Sequence, residues 1–308
     1  MIAIPHKAKQ FLLVLVKVLI VGMAFFYIYQ HLQGDKAIFI ESIIQYLSIK
    51  EVLILLLFTT ANWFFEVSKW QNLVNSFKKI SFFEATQQTL GSLTSSIFTP
   101  NRIGEYGAKM LYFKTENAKR VVLLNFVHNS SQMLVTTLFG VIGIFSSTFN
   151  IQHSIFNIAI FISIPIIFII AFFFRKIEVY GFSIQKLIDK ISQLSFKTHE
   201  RNLYFSLMRY LVFSTQFLML LLFFDVEIDI TTAFLTIFTM YFLASILPSI
   251  HLMDVAIKGS VALFLFSKLG VEDWKILTIT SLMWFFNLVL PVILGSYFVL
   301  RFKPKTAE

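Results

Sequence analysis

The sequence predicts an all-α, polytopic integral membrane protein, with about six spanning helices and two broken or re-entrant helical hairpins arranged as an inverted repeat. Three observations carry that expectation. The mean hydropathy is +0.76 over 308 residues, with 57% hydrophobic and only 14% charged side chains. Long apolar runs recur along the whole chain, each able to cross a hydrocarbon core of about 30 Å at about 1.5 Å per residue. Two polar, proline-containing segments interrupt those runs at corresponding places in the two halves. The whole chain, 1–308, is expected to be a single membrane domain with halves of about 1–150 and 151–308.

The runs cover 11–30, 52–70, 121–145, 155–174, 203–224 and 276–300. The first follows Lys7 and Lys9 and has no small-x-small cleavage site, so it is expected to be retained as a span. Lys and Arg of short loops stay on the cytoplasmic side. An inner N-terminus places most of the 26 basic residues there, among them Lys78, Lys79, Lys119, Arg120, Arg175, Lys176 and Arg301. The outer loops then carry mainly acids, such as Asp35, Glu41, Asp225 and Glu272. The expected location is the cytoplasmic (inner) membrane, multi-pass, with both termini inside. The net charge of +9 is accounted for by basic loops facing anionic headgroups, and no nucleic-acid partner is expected. With no cysteine, disulfides, thiolate metal sites and a cysteine nucleophile are excluded. The histidines lack metal-ligand spacing, and no cofactor is expected.

The first interrupting segment, 84–113, begins EATQQTLGSLTSSIFT, too polar to face lipid. Pro100 removes a backbone donor and disfavours helix at Thr99, and Gly104 lies where the helix resumes. A re-entrant hairpin that lines a cavity fits this pattern, although two full spans would fit it as well. Arg102, in the break, is the leading candidate for holding a phosphate, through its guanidinium and the neighbouring backbone donors. Glu105 and Lys109 lie one helical turn apart and either pair or face the cavity. The second segment, 231–270, contains ASILPSIHLMDVAIKGS, in which Pro248, Asp254 and Lys258 echo Pro100, Glu105 and Lys109. Glu66 and His128 interrupt apolar runs and join the candidate substrate-binding set, because ionisable groups in a span are costly unless paired or solvated. Arg209 reads as a residue that snorkels to the headgroups.

TPNRIGEYGAKMLYF resembles the P-x-R-x-G-E signature of the lysylphosphatidylglycerol synthase transmembrane-region family, matching at Pro100, Arg102, Gly104 and Glu105. LPSIHLMDVAIKGSVALF is similar to that family's second, proline-containing motif, with Asp254 as its acid. The family includes the flippase portion of the multiple peptide resistance factor. The resemblance implies a lipid-handling module, in the best-known members one that moves aminoacylated phosphatidylglycerol between leaflets. Those members carry a soluble synthase domain after the last span; Glu308 closely follows Leu300, so that domain is not expected within these residues. The leading expectation is a flippase or transporter for a phosphate-bearing lipid, a membrane phospholipid or a polyprenyl-phosphate lipid. Two alternatives stay open: a membrane glycosyltransferase using a polyprenyl-phosphate sugar, and a noncatalytic partner of a separately encoded lipid-modifying enzyme. Oligomeric state is not set by the sequence.

Overall fold

The computed structural model describes residues 45–99, 102–146, 184–246 and 254–302, with the isolated positions Leu15 and Leu19. All regular structure among them is helical. In chain order the helices are α1 (Ile49–Val74), α2 (Phe82–Ser96), α3 (Ile103–Met110), α4 (Ala118–Phe145), α5 (Ile184–Ser192), α6 (Phe196–Phe223), α7 (Ile230–Ile246), α8 (Asp254–Phe266), α9 (Asp273–Trp284) and α10 (Leu290–Arg301). Run 11–30, apart from Leu15 and Leu19, and run 155–174 lie outside the described residues.

Among the described residues, three helical segments are long and apolar enough to cross a membrane: α1, α6 and the continuous stretch Asp273–Arg301. They coincide with runs 52–70, 203–224 and 276–300. The run at 121–145 forms α4, which has 28 residues but carries His128, Asn129 and Gln132 in its middle. Within Asp273–Arg301, a π-helical turn at Phe285–Val289 joins α9 to α10. Pro291 has no N–H to offer the carbonyl four residues back, at Asn287, and a wider turn absorbs that mismatch.

Both interrupting segments form two short helices, α2 and α3 in the first and α7 and α8 in the second. At 15 and 8 residues, α2 and α3 extend only about 22 and 12 Å, so neither crosses a bilayer alone. Ser81 starts α2 through a reciprocal capping box: the Glu84 N–H donates to Ser81 Oγ (3.1 Å), and the Ser81 N–H donates to Glu84 Oε2 (2.8 Å). Despite its polarity α2 is buried, with Gln88, Thr89, Ser92, Thr94 and Ser96 all enclosed. It packs on α10 at Gly295, where a Cβ would collide with Thr94 Oγ1 and the Leu90 carbonyl. Small residues at such crossings let two backbones approach closely.

Buried residues of α1 run as a stripe at spacings of three and four, Leu55, Thr59, Asn62, Glu66, Lys69 with Trp70, and Leu73, and from Glu66 to Trp70 the helix is buried all round, with Val67 and Ser68 also enclosed. Leu53, Leu57 and Phe64 project from the rest of the helix and are exposed. Leu55 joins an apolar cluster with Phe217, Ile237, Phe266 and Ile279, while Trp70 and Leu73 join a second with Ile80, Phe113 and Leu124. The polar middle of α1 therefore lies between two apolar cores.

Candidate functional site

Glu66 is at the centre of that middle layer, 2% exposed. Its carboxylate is 2.9 Å from Lys69 Nζ, one turn along α1, and 3.2 Å from His128 Nε2 on α4. Arg209 Nε, from α6, approaches to 3.4 Å, and Arg102 Nη1, from the break before α3, to 3.9 Å. Gln132, one turn beyond His128 on α4, accepts from Lys69 (3.4 Å) and from Arg209 Nη1 (3.2 Å) through Oε1. One carboxylate thus ties together α1, α4, α6 and the break.

Next to this knot, Glu105 and Lys109 pair at 2.7 Å within α3. Lys109 Nζ also donates to Asn125 Oδ1 (2.8 Å) and lies 3.9 Å from the centre of the Trp70 ring. That ring meets His128 edge-on and donates its Nε1–H to Gln88 of α2 (2.8 Å). Among the described residues of this layer, and in their ordinary charge states, Lys69, Arg102, Lys109 and Arg209 stand with two carboxylates, Glu66 and Glu105. Over these six side chains the layer carries an excess of two positive charges, which His128 can only increase. Unbalanced cations in an interior of low dielectric are costly, and an anion brought among them is strongly favoured.

The break positions its arginine through Thr99 and Gly104. The Thr99 hydroxyl donates to the Ser96 carbonyl (2.7 Å) and accepts from the Gly104 N–H (2.9 Å), closing the end of α2 onto the start of α3. A Cβ at Gly104 would lie 2.7 Å from Thr99 Cγ2, so this closure requires glycine. Arg102 takes a left-handed backbone, φ 60° and ψ 24°, a conformation costing a non-glycine residue about 1–2 kcal/mol. The Glu105 N–H donates to the Arg102 carbonyl (3.0 Å). The backbone donors expected to assist Arg102 are thus in part already used.

A cavity of about 460 Å³ opens on this layer. Arg102 and Arg209 line it with Gln132 and Asn129, as do Lys258 and Val255 of α8, Thr280, Met283 and Trp284 of α9, and Asn287. Phe213, Phe217, Met240 and Tyr241 make the wall apolar between α6 and α7. No protein-family model matches the chain, and no curated protein matches it.

The structure brings together Glu66, His128, Arg102, Glu105 and Lys109, and Lys258 lines the cavity that Arg102 also lines. Glu105 and Lys109 are buried against each other and are not among the cavity's lining residues. Pro100, Pro248 and the side chain of Asp254 lie outside the described residues. Sequence reasoning left Lys69 out of the candidate set and read Arg209 as snorkelling to the headgroups. The available signal was, for Arg209, a position well inside the run 203–224, and for Lys69, its place in an apolar run three residues after an acid, Glu66.

Proposed function

We propose that this is an integral membrane protein that translocates a phosphate-bearing polar lipid between leaflets, holding the headgroup in the cavity while the acyl chains stay in lipid. The observation that carries the reading is the convergence of Arg102 and Arg209 on one side of the cavity, both backed by the buried Glu66 carboxylate. Guanidinium groups fixed from behind present their remaining donors in a planar fork, the geometry that suits phosphate oxygens. The surplus positive charge of the layer supplies the driving force for an anion. The helix pairs α2–α3 and α7–α8, each flanking a proline segment, fit an inverted repeat whose broken helices meet at the substrate. The family resemblance points the same way.

Reconstitution of the purified protein into liposomes carrying fluorescent phosphatidylglycerol tests the reading. Translocation above that of protein-free liposomes is expected, with a loss of at least about tenfold in Arg102→Gln. Wild-type translocation by Arg102→Gln would remove the phosphate role, and transfer of label from a polyprenyl-phosphate sugar to an acceptor would favour the transferase alternative.

A further inference from the structure

The side-chain amides that tie α1 to α6 and to the π-helical turn form a relay with a direction, and backbone carbonyls set it. A carbonyl can only accept, so an amide side chain that bonds one must present its nitrogen. Asn287 Nδ2 donates to the Met283 carbonyl (3.2 Å), and Gln216 Nε2 donates to the Leu55 carbonyl (3.1 Å). Gln216 therefore turns Oε1 to Asn287 Nδ2 (2.9 Å), and Asn287 turns Oδ1 to Asn62, whose Nδ2 donates to it (2.7 Å). The Met283 carbonyl is enough by itself to orient Asn287, so the direction at Asn62 does not depend on Gln216. Asn62 Oδ1 is left as the terminal acceptor of the relay. Asn62 is 2% exposed and lines the cavity, and its Oδ1 is buried with no hydrogen-bond partner among the described residues. Donors share that lining, among them the Trp284 indole N–H, the Arg102 and Arg209 guanidinium groups and the Lys258 ammonium, and none of them is bonded to this oxygen. A buried amide oxygen in that position is costly until a donor reaches it.

Asn62 is one helical turn from Glu66, about 6 Å along α1, and Glu66 backs both cavity arginines. A short substituent on a phosphate spans that distance. On the reading that the cavity takes a phosphate lipid, we propose that Asn62 binds the ligand directly, its Oδ1 accepting a hydrogen bond from the substituent on the phosphate, so that the site favours headgroups with a donor beyond the phosphate over headgroups with none. The selection is for a proton and not for a charge: a hydroxyl and an ammonium N–H both satisfy an amide oxygen.

Native mass spectrometry of the purified protein, exposed to equimolar lipid pairs of matched charge, tests the contact. The pairs are phosphatidylglycerol with phosphatidylmethanol, both anionic, and phosphatidylethanolamine with phosphatidylcholine, both zwitterionic; in each pair only the first lipid carries a headgroup donor. Retention of the donor-bearing lipid about tenfold above its counterpart is expected in at least one pair, and the pair that shows it identifies the donor as hydroxyl or ammonium. Asn62→Leu is expected to bring that ratio to about one while the donor-less lipid is retained as before. Asn62→Ser, which withdraws the amide oxygen and keeps a proton donor, makes the same comparison if Asn62→Leu does not fold. Equal retention within both pairs, the result if water serves the oxygen, overturns the inference and leaves the phosphate reading intact. So does a preference that the variants preserve, or a fall in the variants shared by all four lipids, which a merely structural role would give. Retention of none of the four by the wild-type protein overturns both readings.

Discussion

One turn of α1 separates two buried polar arrangements that solve the same problem differently. At Asn62 the solution is neutral and stepwise: Asn62 donates to Asn287, Asn287 to Gln216 Oε1 (2.9 Å), and Gln216 Nε2 to the Leu55 carbonyl (3.1 Å) and Thr59 Oγ1 (3.0 Å). Almost every donor meets one acceptor, and the chain stitches α1 to α6 and to the π-helical turn. At Glu66 the solution is charged and crowded, with one carboxylate serving four basic side chains. A balanced network holds helices together. A crowded one holds helices together with cations in excess over its two carboxylates, and the cavity is lined from both arrangements, by Asn62 and Asn287 and by Arg102 and Arg209.

Substitutions on either side of this boundary are expected to separate the two behaviours. Glu66→Gln should have the largest effect, because it leaves buried cations facing one another: a loss of about 3–5 kcal/mol, read as a collapse of thermal stability in detergent. Survival of that variant at wild-type stability would mean the carboxylate is not the hub. Gly104→Ala comes next, at about 1–3 kcal/mol, since the new methyl must displace Thr99 and reopen the break; an unchanged melting temperature would show that the closure is not needed. Gln216→Leu, in the same amide network but away from the cavity lining, should cost only about 0.6–1.7 kcal/mol, the usual range for interhelical hydrogen bonds in membranes, and should leave lipid translocation near wild type. If Gln216→Leu abolished translocation without unfolding the protein, the amide network would belong to the transport step and the contrast would fail.

Much of this was legible in the sequence because local chemistry decides it. Pro100, Gly104 and the polar run before them announce a broken helix, and Glu105 and Lys109, four apart, announce a pair; the structure describes a helix, a break, a second helix and that pair. Glu66 and His128 stood out as costly interruptions of apolar runs. The hub itself was not legible, since Arg209 lies 143 positions from Glu66 and only the packing of α6 on α1 brings them to 3.4 Å. The same holds for Gln88 and Trp70, whose bond depends on how α2 docks. The hydroxyl protons of Thr136 and Thr280 are turned into their own helices, a direction that residue type alone leaves open. Periodicity finds faces and breaks. It does not find which faces meet.

The central claim is that Arg102 and Arg209 grip one phosphate together, and a double-mutant cycle on phosphatidylglycerol binding tests it most directly. Arg102→Gln, Arg209→Gln and the double variant are compared with wild type by native mass spectrometry titration. If both arginines hold the same group, the second substitution costs far less once the first is made, and the coupling is at least about 1 kcal/mol. Additive losses would place the arginines on separate ligands, and no loss in either single variant would contradict the account.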